Sequence, residues 1–150
     1  MIIRVADLEK DAVMIMDGAM DFVSRMDFTD FLPERKEDIA SAITRVLNMP
    51  FVETVVAEHN GKIIGGIGIA YIPCLWNANL LTGEELFWWT SKAAPKTAAL
   101  KLLKFVKQRM IELGVEIMSF KQLTSSPESV AKVYKRMGLR QVETSFMGSL

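Results

Sequence analysis

Between Glu84 and Leu103 the chain reads E-E-L-F-W-W-T-S-K-A-A-P-K-T-A-A-L-K-L-L. A short apolar and aromatic run up to Thr90 gives way to a polar stretch and then to one rich in Ala and Leu. This is the pattern of a buried strand, a loop and a helix start. A second strand pattern, Val115–Leu123, follows the helix. Two strands joined by one helix make a crossover, and a crossover requires a sheet with helices packed on it. The junction also carries chemistry. A helix start offers unpaired N–H groups and the positive end of a dipole, which together bind phosphate. Lys92 and Lys96 lie in this loop. The junction is therefore a candidate site for a phosphate-bearing ligand. The competing reading is an ordinary connection with two solvated lysines.

Punctuation divides the rest of the chain. Ile2–Val5 reads as a strand. Asp7 caps a helix to about Met26, with Leu8, Val13, Ile15, Met16, Ala19, Met20 and Val23 mostly three or four apart. The stretch from Asp27 to Pro33 breaks it. A second helix, about Glu34 to Leu47, ends at Asn48-Met49-Pro50. Phe51–Glu58 and Lys62–Ile72 form a hairpin around Asn60-Gly61, a pair that tolerates the positive φ of a two-residue turn. Gly65, Gly66 and Gly68 point to a bulge or a close backbone approach. Tyr71 to Thr82 is expected to be a long connection, and Glu84–Thr90 the third strand of the group. The next helix spans about Pro95 or Lys96 to Leu113, stopped by Gly114. Ser126 and Pro127 open another, which Gly138 stops. Leu139 to Met147 is expected to supply a last strand or a pair of short ones. The order β, α, α, β, β, β, α, β, α, β predicts an α/β (α+β) fold: a central twisted mixed sheet flanked by about four helices.

The 150 residues are most simply one domain. With 18 basic against 18 acidic side chains and no basic patch interleaved with aromatics, nucleic-acid binding is not expected. No apolar run approaches the roughly 20 residues that span a bilayer, so no membrane partner is expected. The N-terminus has no signal-peptide layout. A single Cys, Cys74, excludes an internal disulfide. With a single His, His59, a zinc site built by this chain is not expected, and no other metal is. A reducing, cytoplasmic setting is the default.

At this point the residues resemble a family. The element order is similar to that of the GNAT superfamily of N-acetyltransferases. Three stretches carry the resemblance: the hairpin Val56 to Gly66, the strand–loop–helix from Glu84, and Ser125 through Gly138-Leu139 with Tyr134 inside its helix. The chain is most similar to small phage-encoded members, which have a Trp-Trp strand and a similar tail. Host cytoplasm is the setting this implies. One stretch departs from the family pattern. The phosphate loop is usually Gln or Arg, two residues, Gly, one residue, then Gly or Ala. Here it reads Ala94-Pro95-Lys96-Thr97-Ala98-Ala99, and only Ala99 fits.

The resemblance implies an acetyl-CoA-dependent acetyl transfer to an amine, by direct attack and without a metal. It implies a cleft between Glu84–Thr90 and Val115–Leu123. Phe87, Trp88, Trp89 and Thr90 would meet the pantetheine there. Lys92, Lys96, Thr97, Ala98 and Ala99 would meet the pyrophosphate. Tyr134 falls where the family places the acid that protonates the leaving thiolate. Glu84 or Glu85 is the candidate base, and strand alternation lets only one of them face inward. Each has a plainer reading, as a core tyrosine or an exposed strand-start charge. The acceptor would be a small-molecule or protein amine. The alternative is a non-catalytic GNAT-like phage structural or interaction protein with a degenerate cofactor loop, which Ala94 and Thr97 favour. A homodimer could form through Thr144–Met147, and a protein partner goes with the non-catalytic alternative.

Overall fold

The computed structural model describes residues 1–26 and 36–147. Nine elements follow in order: β1 (Ile2–Val5), α1 (Leu8–Val23), α2 (Lys36–Leu47), β2 (Val52–His59), β3 (Lys62–Cys74), β4 (Asn77–Thr90), α3 (Ala98–Glu112), β5 (Ile117–Ser119) and α4 (Ser129–Arg136). The break expected at Asp27 to Pro33 and the helix start at Glu34 lie outside the described residues.

The strands form one sheet in the order β1-β2-β3-β4-β5. Neighbours are antiparallel up to β4, and β4 pairs with β5 in parallel. The β2–β3 turn has Asn60 at φ 52 and Gly61 at φ 74. That is the left-handed pair a two-residue hairpin needs. On one face, Leu102, Leu103, Val106 and Met110 of α3 cover Val55, Ala57, Ile67 and Ile69, and Tyr134 of α4 joins them. On the other face, Ile15 of α1 and Leu47 of α2 pack on Val56, with Phe87 at the margin. Each such Val, Leu, Ile or Met side chain contributes roughly 1.5–3 kcal/mol by leaving water.

Polar pins fix the junction of β1 and α1. Asp7 accepts the Glu9 N–H at 3.2 Å and caps α1. Asp11, 2 % exposed, takes two bonds from the Arg4 guanidinium, at 2.6 and 3.0 Å, and one from the Asp7 N–H at 2.8 Å. Those bonds hold its carboxyl below the usual carboxylate range.

Four expectations need correction. The stretch Tyr71 to Thr82 is not a connection: β3 and β4 continue through it and turn at Leu75-Trp76, with Tyr71 opposite Gly83 and Pro73 opposite Leu81. Cross-strand pairing overrides the weak strand preference of Pro and Asn there, and the register slips at Pro73/Cys74. Of Val115–Leu123 only Ile117–Ser119 is strand. α4 begins at Ser129 with Glu128 at its cap position, so Ser126 does not cap it. Residues 139–147 form no strand, and Val142 and Phe146 are 81 % and 95 % exposed. Alternation alone makes no strand without a paired ladder, and no ladder joins these residues to the sheet. No described helix is long and apolar enough to cross a membrane.

Candidate active site

β4 and β5 stay together only briefly. Thr82, Gly83 and Glu84 pair with Ile117, Met118 and Ser119, and there the ladder ends, although β4 continues to Thr90. Its cause lies on the other edge of β4. Glu85 faces Ile69 and Phe87 faces Gly68, so Leu86 is an extra residue, a bulge that re-aims the strand. Gly68 makes room for the ring beside it: a Cβ there would lie 2.4 Å from Phe87 Cε1. The Ser91 N–H bonds Ile64 O toward β3 at 2.9 Å. By alternation Phe87 and Trp89 also turn their main-chain groups to β3, while Trp88 and Thr90 turn theirs to the open side.

The side chains of Glu84, Glu85 and Tyr134 converge on one residue past the end of β5. The Lys121 N–H donates to Glu85 Oε2 at 2.9 Å, and the Tyr134 hydroxyl donates to Lys121 O at 3.0 Å. Lys121 Nζ pairs with Glu84 Oε1 at 2.8 Å. The chain after β5 is thus stitched to β4 and α4 by side chains rather than by a ladder. Trp88 completes the group: its indole N–H donates to the Tyr134 oxygen at 3.0 Å.

Burial separates the two glutamates, as strand alternation requires. Glu85 is 4 % exposed, whereas Glu84 is half-buried beside the Lys121 ammonium. Desolvation pushes the Glu85 pKa up to about 7, against the opposing pull of the Lys121 N–H and charge. Tyr134 is 8 % exposed; burial and then the Glu85 charge raise its pKa, and the Trp88 N–H opposes the rise. The two tryptophans take opposite faces. Trp89 is buried against α1, where a Cβ on Gly18 would lie 1.9 Å from Trp89 Cζ2. Phe87 packs on that same face.

Beyond Thr90 the loop carries Lys92, Lys96 and Thr97, all exposed. α3 begins at Ala98, later than the expected Pro95 or Lys96, and no side chain caps it. The Ala98 N–H is taken by Pro95 O at 2.8 Å, and its methyl is buried. Among the described residues, the N–H groups of Ala99 and Leu100 meet no backbone acceptor. Thr97 has φ −83 and ψ −10, an ordinary helical conformation, so a residue other than Gly is unstrained there. Two clusters result: Glu84, Glu85, Trp88 and Tyr134 around Lys121, and Lys92, Lys96 and the α3 start at the C-terminal end of β4.

Sequence reasoning missed Lys121. It works mainly through its peptide group, for which no residue type gives a signal. A 380 Å³ cavity lies apart from both clusters, lined by Val52, Thr54, Tyr71 and Arg109 among others. Its charges are internally matched, with Arg109 on Glu53 at 3.0 Å. No group of His, Cys, Asp and Glu among the described residues is arranged to hold a metal.

No protein-family model matches the sequence, and no curated protein matches it. Solved structures do match the fold. A ribosomal-protein-alanine N-acetyltransferase from Brucella melitensis biovar Abortus 2308 superposes with a TM-score of 0.75 over 100 % of both chains at 14 % identity. A predicted acetyltransferase with acetyl-CoA from Clostridium acetobutylicum gives 0.70 over 99 % of this chain and 95 % of its own, at 16 % identity. An aminoglycoside acetyltransferase from an uncultured soil metagenomic sample, in complex with sisomicin, gives 0.71 over 99 % and 95 %, at 15 % identity. The chain has the fold of the GNAT acetyltransferases, with a mixed five-stranded sheet and four helices among the described residues.

Proposed function

We propose that this chain is an acetyl-CoA-dependent N-acetyltransferase, with its site in the opening between β4 and the chain after β5. The observation that carries the reading is a buried carboxylate with its pKa raised to about 7, next along the Lys121 peptide from a buried phenol, where two parallel strands part. The residues fit such a ligand. The outward main-chain groups of Trp88 and Thr90 are free of β5 and suit the amides of a pantetheine arm. Lys92, Lys96 and the open N–H groups of Ala99 and Leu100 suit a pyrophosphate. Phe87 and Trp89 then act as supports for β4 rather than as ligand contacts, and Thr97 and Ala98 shape the loop.

Acetyl-CoA, when bound, supplies the activated thioester. Glu85 takes the proton that an attacking amine must lose, and a pKa near 7 suits that work at neutral pH. Tyr134 gives its proton to the departing sulfur. Glu84 holds the Lys121 ammonium and so keeps the stitched segment in place. In this reading the chain acts as a single domain in the cytoplasm, and a phage origin fits its small size.

The test is thiol release from acetyl-CoA with a panel of amines: spermidine, sisomicin and a peptide with a free N-terminal alanine. Turnover with any of them, lost in Glu85→Gln, is expected. Acetyl-CoA that is neither bound nor turned over would leave the fold as a scaffold for a protein partner.

A further inference from the structure

We propose that Trp88 is a positioning residue for the acid of this site: its indole N–H occupies one side of the Tyr134 oxygen and aims the hydroxyl proton across the gap toward the chain after β5. The proposal rests on the acetyl-transfer reading.

Hydrogen-bond valence sets the direction of the Tyr134 hydroxyl. An indole N–H only donates, while a phenol oxygen carries one proton and two lone pairs. Trp88 Nε1 stands 3.0 Å from the Tyr134 oxygen. The hydroxyl therefore does not donate toward the indole, and its proton goes to Lys121 O, also at 3.0 Å. Neither ring is free to swing. Tyr134 packs on Phe120, with centroids 5.5 Å apart and planes at 56°, and Trp88 packs against the same core. A phenylalanine would fill most of the Trp88 space but would let the hydroxyl rotate.

The same bond has a second effect. Burial and the Glu85 charge favour the phenol over the phenolate, and the Trp88 N–H favours the phenolate. A phenol that has given up its proton is left as an anion, and the donor is already in place on that oxygen. The step balances. The amine nitrogen bonds the acetyl carbon as the carbon–sulfur bond breaks. The sulfur leaves with the electron pair and takes the Tyr134 proton. Glu85 takes the surplus nitrogen proton. Glu85 and Tyr134 then return to their starting forms by proton exchange with water.

Two readouts test this, one of which needs no turnover. The chain has three tryptophans, so a nitrogen-15 correlation spectrum shows three indole signals, and Trp88→Phe identifies one of them. In Tyr134→Phe the Trp88 signal should shift and exchange faster with solvent, while that of Trp76, 90 % exposed, stays put. A Trp88 signal unmoved by Tyr134→Phe overturns the proposal whatever the chain catalyses. The second readout is acetyl-CoA turnover with the amine found in the panel. Trp88→Phe should lower kcat about tenfold with KM nearly unchanged, the worth of one hydrogen bond. Tyr134→Phe should lower it about a hundredfold. The double variant should be no slower than Tyr134→Phe alone. Losses that multiply in the double variant, or a Trp88→Phe loss confined to KM, overturn it. A wild-type chain that turns over nothing while the indole signal responds as expected defeats the acetyl-transfer reading, and the acid role with it, but not the hydrogen bond.

Discussion

Glu85 carries the chemistry of the account at the level of a single side chain, and its proton makes two predictions. Its folded-state pKa, about 7, lies above the unfolded 4.5. The folded chain therefore binds this proton more tightly than the unfolded chain does. The stability that the proton brings is full below 4.5 and lost as the pH rises through 7. Glu85→Gln keeps an oxygen for the Lys121 N–H and removes the charge. In urea unfolding at about pH 8 it should be more stable than the wild type by about 1–3 kcal/mol, and at about pH 4 no more stable. A gain of the same size at both pH values would contradict the assignment. Turnover by the wild type should move the other way, rising with pH through an inflection near 7, and a flat profile between about pH 6 and about 8 would contradict Glu85 as the base. A third prediction concerns packing. Gly18→Ala favours a helix locally, but its methyl would meet the Trp89 ring at 1.9 Å. Urea unfolding should show a net loss of about 1–3 kcal/mol. At this scale sequence reading named Glu84, Glu85 and Tyr134 as candidates, which the fold brings together around Lys121, but could not choose between the glutamates. That choice depends on register and on a bulge set by another strand.

Elements, not single residues, make the opening. β4 turns away from β5 because Leu86 is inserted opposite β3, and no local pattern in Glu84–Thr90 announces an extra residue. The same limit explains the other misreadings. Cross-strand pairing rather than residue preference decided that the Tyr71 to Thr82 stretch is a hairpin of two strands and that residues 139–147 are not strand. Local punctuation did better: Gly114 and Gly138 stop their helices at φ 73 and 91, as their positions suggested. The junction of β1 and α1 offers a test of how elements are tied. Asp11 anchors Arg4, which also reaches Glu58 on β2 at 2.8 Å. Asp11→Ala would leave the part-buried guanidinium with half its partners. It should lower stability by about 3 kcal/mol in thermal unfolding. A loss below about 0.5 kcal/mol would mean that the junction is held by apolar packing alone.

Across the whole molecule, sheet order, helix faces and the uncapped α3 start combine into one site-bearing architecture. The element order was legible because each segment's period and breakers agree with its place in the fold. The altered phosphate loop was not, because its effect depends on a backbone conformation that Thr97 adopts without strain. A ligand that binds only the folded chain must stabilise it. Acetyl-CoA at about a hundred times its Kd should add about 2.7 kcal/mol and raise Tm by roughly 5–10 °C. The central claim is that this opening binds acetyl-CoA. Isothermal titration of the full chain, wild type beside Lys96→Glu, tests it most directly. The account predicts saturable binding at one site per chain, weakened about tenfold by the charge reversal. No heat at high micromolar acetyl-CoA, or equal binding by the two proteins, would contradict it.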